Sequence, residues 1–139
     1  MGERSGFNVC VPNISSGFGV CSWNARALAH HDMSIRKRKL RELAILLARF
    51  DAVIVLEAHG LDDLYQQVLK LHFRTHQYFS SFCLDPQGIP RSDAGGVLIF
   101  VKHEHNVMGP PIVHEPGRIL EISIGFGSFL LRLLSPREG

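Results

Sequence analysis

Asn24, in Cys-Ser-Trp-Asn-Ala-Arg (21–26), and Glu57, in Asp-Ala-Val-Ile-Val-Leu-Glu-Ala-His-Gly (51–60), are the residues whose type and placement most suggest chemistry. Each closes an apolar run of strand character, and a helix-like cationic stretch lies between them. A strand–helix–strand unit with a right-handed crossover sets two neighbouring parallel strand ends side by side. An amide oxygen and a carboxylate would then converge at one sheet edge. These are hard oxygen donors, which suit Mg²⁺ while it keeps several waters and leaves room for a phosphate. Taken singly, Asn24 reads better as a turn former and Glu57 as the first residue of a loop. It is the pair, placed by one architecture, that reads as a site.

The elements that must position this pair follow from periodicity. Phe18 to Trp23 reads as a strand. Ser34 is the expected N-cap of a helix running to about Phe50, with Leu40, Leu43, Ala44 and Leu47 on one apolar face. Ala52 to Leu56 is continuously apolar and β-branched, as expected of a central parallel strand buried on both sides. Leu61 to Leu71 repeats apolar residues at helical spacing. Gln77 to Leu84 and Gly96 to Lys102 read as strands separated by the Pro- and Gly-containing loop 85–95. Arg118 to Ile124 and Ser128 to Leu134 read as a hairpin turning at Gly125-Phe126-Gly127. Residues 1–16 read as a flexible arm or a marginal strand around Phe7-Asn8-Val9-Cys10-Val11, and no domain boundary or internal repeat interrupts 17–139.

Trp23-Asn24-Ala25-Arg26, Lys39-Leu40-Arg41-Glu42-Leu43 and Asp51 through Gly60 resemble the start of the endonuclease/exonuclease/phosphatase superfamily. The nearest likeness is to endonuclease-like domains of non-LTR retrotransposons. Ala94-Gly95-Gly96-Val97-Leu98-Ile99-Phe100-Val101 is similar to the family's Gly-Gly strand, and Pro116-Gly117-Arg118-Ile119-Leu120-Glu121-Ile122 to the strand after it. The motifs occur in order from about residue 18 to residue 134. The resemblance implies an α/β class, with a two-sheet α/β sandwich incomplete at its C-terminal side. It also implies a Mg²⁺- or Mn²⁺-dependent phosphodiester hydrolase in which Asn24 and Glu57 hold the metal. Nucleic acid or another phosphate ester would be the partner. Leu56 stands where the family usually has Gln. The family's Asp-x-Asn loop and terminal Asp-His pair have no counterpart, so the expectation is the N-terminal half of such a domain, without the water-activating machinery and inactive alone. The alternative is a non-catalytic α/β fragment serving as an interaction module or retroelement remnant.

Arg26 follows Asn24 closely enough to reach a substrate phosphate. Arg36, Lys37, Arg38, Lys39 and Arg41 could attract a phosphate backbone, but they read better as the wet face of the amphipathic helix. His30-His31 and His59 lie in the loops after the two site strands and could approach a phosphate. His103-Glu104-His105 places two imidazoles on one side of an extended segment without a third ligand at metal-site spacing, and reads as a solvated strand end. Gly17-Phe18-Gly19 and Gly125-Phe126-Gly127 lack the continuation of a dinucleotide fingerprint and read as turns.

With 139 residues, 45% hydrophobic and 20% charged, the chain can bury a core and is not of disordered composition. A net charge of +2 does not by itself announce a nucleic-acid binder. Three cysteines, Cys10, Cys21 and Cys83, form no CxxC pair. That odd, sparse count suits a reducing compartment. No apolar run has transmembrane length and no signal-peptide core opens the chain, so the expectation is a soluble intracellular protein without a membrane partner. The run Ser128 to Leu134 has Arg132 as its sole charge, which predicts self-association through an exposed strand.

Overall fold

Val20–Asn24 (β2), Met33–Arg49 (α1) and Ala52–Leu56 (β3) form the strand–helix–strand unit, with β2 and β3 parallel, Val20 opposite Ala52 and Asn24 opposite Leu56. The computed structural model describes residues 8–11, 17–126 and 129–135. Asn8–Val11 (β1) pairs antiparallel with β2. The marginal strand of the N-terminal segment is therefore formed, while residues 1–7 and 12–16 lie outside the described residues. His76–Ser81 (β4) and Val97–Lys102 (β5) complete a five-stranded sheet in the order β1-β2-β3-β5-β4.

A second sheet of four strands is built on Ile119–Phe126 (β8). Phe129–Leu134 (β9) pairs along one edge of β8, and Asn106–Val107 (β6) and Ile112–Glu115 (β7) share the other. The turn expected at 125–127 does not begin at Gly125: Gly125 and Phe126 belong to β8 and pair with Leu130 and Phe129, while residues 127 and 128 lie outside the described residues.

Why β3 is apolar throughout is visible in what it touches. Val53 and Val55 pack with Trp23, Leu43, Leu47, Tyr65 and Phe100 beneath the helices. Ala52, Ile54 and Leu56 pack with Leu120, Ile122, Ile124 and Leu133 of the second sheet. Alternate side chains thus serve two apolar layers, and each fully buried Val, Ile or Leu contributes about 1.5–3 kcal/mol by leaving water. Strand β5 divides in the same way, Leu98 and Phe100 facing one layer and Val97, Ile99 and Val101 the other. The chain is a mixed α/β protein.

Helix α1 begins two residues earlier than Ser34 implies. Asp32 is the N-cap, its Oδ1 accepting from the Ser34 amide at 2.9 Å and the Ile35 amide at 3.4 Å. A carboxylate both satisfies the free amides and meets the positive end of the helix dipole. The Ser34 hydroxyl and amide hold the Asp32 carboxyl below its usual range. The helix ends where Phe50 turns extended. Its buried residues are Lys39, Leu43, Leu46 and Leu47, a stripe at i, i+4, i+7 and i+8 that includes a charge.

The second helix is shorter than its pattern. Asp62–Val68 (α2) ends at Leu69, and a 3-10 turn follows at His72–Arg74. Tyr65 and Leu69 are buried while Val68 and Leu71 face solvent, so the apolar repeat wraps wider than the face in use. Strand β4 stops at Ser81, and Leu84 makes an isolated bridge to Pro90 instead. Strands β6 and β7 escape sequence reading because they are short and exposed, without alternation between a wet and a dry face.

Candidate functional site

Asn24 is the last residue of β2 and Glu57 the first beyond β3. Asn24 Nδ2 donates to Glu57 Oε2 at 2.9 Å, and the Arg26 amide donates to Asn24 Oδ1 at 3.1 Å. The parallel ladder continues past both strands, through Ala25 N to Leu56 O at 3.0 Å, Ala27 N to Glu57 O at 2.8 Å and Ala29 N to Ala58 O at 3.1 Å. The two loops that follow β2 and β3 therefore travel together, and they bring the amide and the carboxylate to one place.

That backbone is strained. Arg26 (φ 48°), Ala27 (φ 71°), Glu57 (φ 51°) and His59 (φ 59°) are the non-glycine residues in the left-handed region among the described residues, and all four lie in these loops. Each costs on the order of 1 kcal/mol or more, and such conformations persist where the surroundings enforce them.

Two buried polar side chains supply the enforcement. Lys39, wholly buried, reaches from α1 to donate from Nζ to Ala25 O at 2.7 Å and to Arg26 O. Tyr65, also wholly buried, reaches from α2 with Oη at 2.8 Å from Ala58 O and in contact with His59 O, sharing one proton between two carbonyls. Burial pushes its phenol far above the usual value, so it stays a donor. Gly60 (φ 68°) completes the second loop, where an added Cβ would fall 2.7 Å from the Ala29 Cβ.

Around Glu57 the charge is mixed. Leu56, Glu57, Val97, Gly117 and Arg118 line a narrow notch. The His59 imidazole has its pKa lowered by burial, with Lys39 and Arg118 adding to that effect and Glu57 and Asp93 opposing it. Burial thus favours the neutral ring. The His59 amide is tied to Gly95 O at 3.0 Å, and Gly96 O takes the Ala58 amide at 3.0 Å.

The contact with Glu57 is made by the Asn24 amide nitrogen. The expected convergence of two oxygen donors is therefore met only with the amide turned over, and in that orientation the pair fits a cation that retains much of its water. Asn24 Oδ1 keeps a second lone pair beyond the one used by the Arg26 amide, and the Glu57 carboxylate is half-buried. The Arg26 side chain is exposed at the mouth of the same loops.

Several other candidates are placed differently from expectation. His30 is committed to the start of α1, its Nδ1 accepting from the Asp32 amide at 3.0 Å, and it stacks on His31 at 4.5 Å. His103, Glu104 and His105 form a turn, not an extended segment, because the chain reverses between β5 and β6. Their imidazoles diverge, His103 Nε2 pairing with Phe73 O at 2.8 Å and His105 Nε2 with Asp51 Oδ1 at 3.0 Å. The wet-face reading fails for Lys39, which lies on the buried stripe. Sequence reading missed the roles of Lys39 and Tyr65. The available signal for Lys39 was its place four residues before Leu43, and for Tyr65 its place four before Leu69.

The chain matches no family model, no curated protein and no solved structure. No helix among the described residues is long and apolar enough to cross a membrane.

Proposed function

We propose that the joined ends of β2 and β3 bind Mg²⁺ or Mn²⁺ through Glu57 and Asn24. In this reading the chain supplies the cation-binding part of a phosphodiester hydrolase of the endonuclease/exonuclease/phosphatase type, built on that family's two-sheet α/β sandwich. The observation that carries the reading is the 2.9 Å contact between Asn24 Nδ2 and Glu57 Oε2. It is made across adjacent parallel strand ends, on a left-handed backbone that buried Lys39 and Tyr65 hold in place.

The substrate class is a phosphate ester, with nucleic acid as the polymeric form. A bound Mg²⁺ supplies Lewis-acid polarisation of a phosphoryl oxygen. Glu57 contributes the anionic ligand and Asn24 a neutral one, so the site keeps net positive charge for phosphate when the cation is present. Arg26 offers a further positive group at the loop mouth. Activating the attacking water needs a base. No residue of this chain is assigned that part, so the chain by itself is expected not to cleave plasmid or abasic DNA above a metal-only control.

Mn²⁺ titration followed by magnetic resonance tests the binding step. Broadening should centre on residues 24–27 and 57–59, and Glu57→Gln should abolish it while the thermal transition stays put. Broadening unchanged in Glu57→Gln, or none at millimolar Mn²⁺, would overturn the proposal.

A further inference from the structure

The opposite end of β3 holds a second group of ligating atoms. Asp51 precedes β3 and is six residues from Glu57, roughly 20 Å along an extended strand. Its Oδ2 accepts from the Gly19 amide at 2.9 Å, and its Oδ1 lies 3.0 Å from His105 Nε2. The turn after β5 also delivers Glu104. One ligand atom each from Asp51, Glu104 and His105 lie within 4.8 Å of one another.

We infer that Asp51, Glu104 and His105 form a binding site for a transition-metal dication of the Zn²⁺ class, separate from the Asn24–Glu57 pair. One imidazole nitrogen and two carboxylates are a donor set that borderline ions take, with water filling the fourth position. The hard-oxygen pair at residues 24 and 57 lacks such a nitrogen, so the two sites select differently.

Two of the three ligands are held in place already. The His105 ring stands edge-on to Phe18 at 4.7 Å and tilts against Phe126 at 5.7 Å. Its turn is fixed by His105 N to Lys102 O at 3.1 Å and Gln77 Nε2 to His105 O at 2.8 Å. Asp51 is anchored by Gly19.

Glu104 is exposed and brings a second negative charge towards Asp51, an arrangement that repels itself until a cation lies between. Lys102 offsets part of that repulsion and competes with the metal. Coordination needs the Nε2 lone pair of His105, so its ring hydrogen moves to Nδ1 and the Asp51–His105 hydrogen bond is replaced by two metal–ligand bonds.

Zn²⁺ calorimetry and Co²⁺ absorption on the whole chain test the site. The expected result is one ion bound per chain, with the Co²⁺ spectrum of imidazole and carboxylate ligation. Loss of even an outer-shell partner typically costs about tenfold or more in metal affinity. Removing a ligand in Glu104→Gln should therefore weaken Zn²⁺ binding at least about tenfold, with the melting transition unchanged because that side chain is exposed. His105→Gln should abolish binding. Glu57→Gln should leave it intact, which separates this site from the proposed Mg²⁺ site. Zn²⁺ affinity no better than millimolar, or affinity unchanged in Glu104→Gln, would overturn the inference. So would binding that disappears when His30 and His31 are replaced instead.

Discussion

Replacing Lys39 by Met keeps the length of the aliphatic stem and removes the ammonium that closes on Ala25 O and Arg26 O. A hydrogen bond from a charged donor contributes about 1.5–3 kcal/mol, and a buried acceptor left without its donor costs about 1–3 kcal/mol. Against this stands relief of the desolvation of a buried charge, several kcal/mol in general, and escape of the loop carbonyls to water beside exposed Arg26. The balance is a net loss of about 2 kcal/mol. At roughly 4 °C per kcal/mol for a chain of this size, the melting temperature should fall by roughly 8 °C. The loop would also relax from its left-handed angles at Arg26 and Ala27, and Asn24 Oδ1 would lose its fixed amide partner. Mn²⁺ affinity should therefore drop by about tenfold or more, a coupling of about 1.4 kcal/mol. Urea unfolding followed by circular dichroism reads the first effect, and Mn²⁺ titration the second. A Lys39→Met protein as stable as the parent, with undiminished Mn²⁺ affinity, would show that Lys39 does not hold the loop.

Gly117→Ala should be among the most damaging single-methyl changes, costing about 3 kcal/mol or more. Gly117 sits at φ 71°, and the new Cβ would lie 2.2 Å from the Cys83 amide nitrogen. Gly88→Ala, at a similar φ but in open space, should cost only about 1 kcal/mol, and equal melting of the two variants would refute the steric account. His59, His72 and His76 have pKa values lowered by burial. The unfolded chain then binds more protons below its own value of about 6.5, so the stability from the neutral rings is present above that pH and lost as pH falls through it. A melting temperature flat from pH 8 to pH 5 would contradict this. Leu130 and Leu134 stand exposed on β9 either side of exposed Arg132, and Leu134→Lys should reduce the self-association expected of that strand. Sedimentation showing the parent already monomeric at high concentration would remove the expectation.

How much of this was legible in the sequence depends on where information sits along the chain. Strands β2 and β3 and helix α1 are readable because apolar periodicity and chain crossover are local rules, and the meeting of Asn24 with Glu57 follows from them. Lys39 is not readable, since a charge inside a cationic run looks solvated until a neighbouring loop presents carbonyls to it. Nor is the grouping of Asp51 with Glu104 and His105. It requires the antiparallel pairing of β3 with β5, which sets residues 51 and 102 side by side and which no local pattern announces. The left-handed angles at Arg26, Ala27, Glu57 and His59 are invisible for a different reason. Sequence signals for such backbone are Gly and Asn, and here tertiary hydrogen bonds impose it on other residues.

The burial of β3 on both faces has a consequence for how the sheet finds its alignment. A strand with one wet face cannot slip by one residue, because the slip would turn its apolar set outward. Ala52 to Leu56 carries no such guard, as either face would bury apolar side chains in either register. What distinguishes the native alignment lies at the two ends. Asp51 accepts the Gly19 amide just before the strand, and Glu57 meets Asn24 just after it. A slip by one position would break both pairings at once, so the polar groups at the ends of β3 serve as alignment marks for a strand whose interior has none.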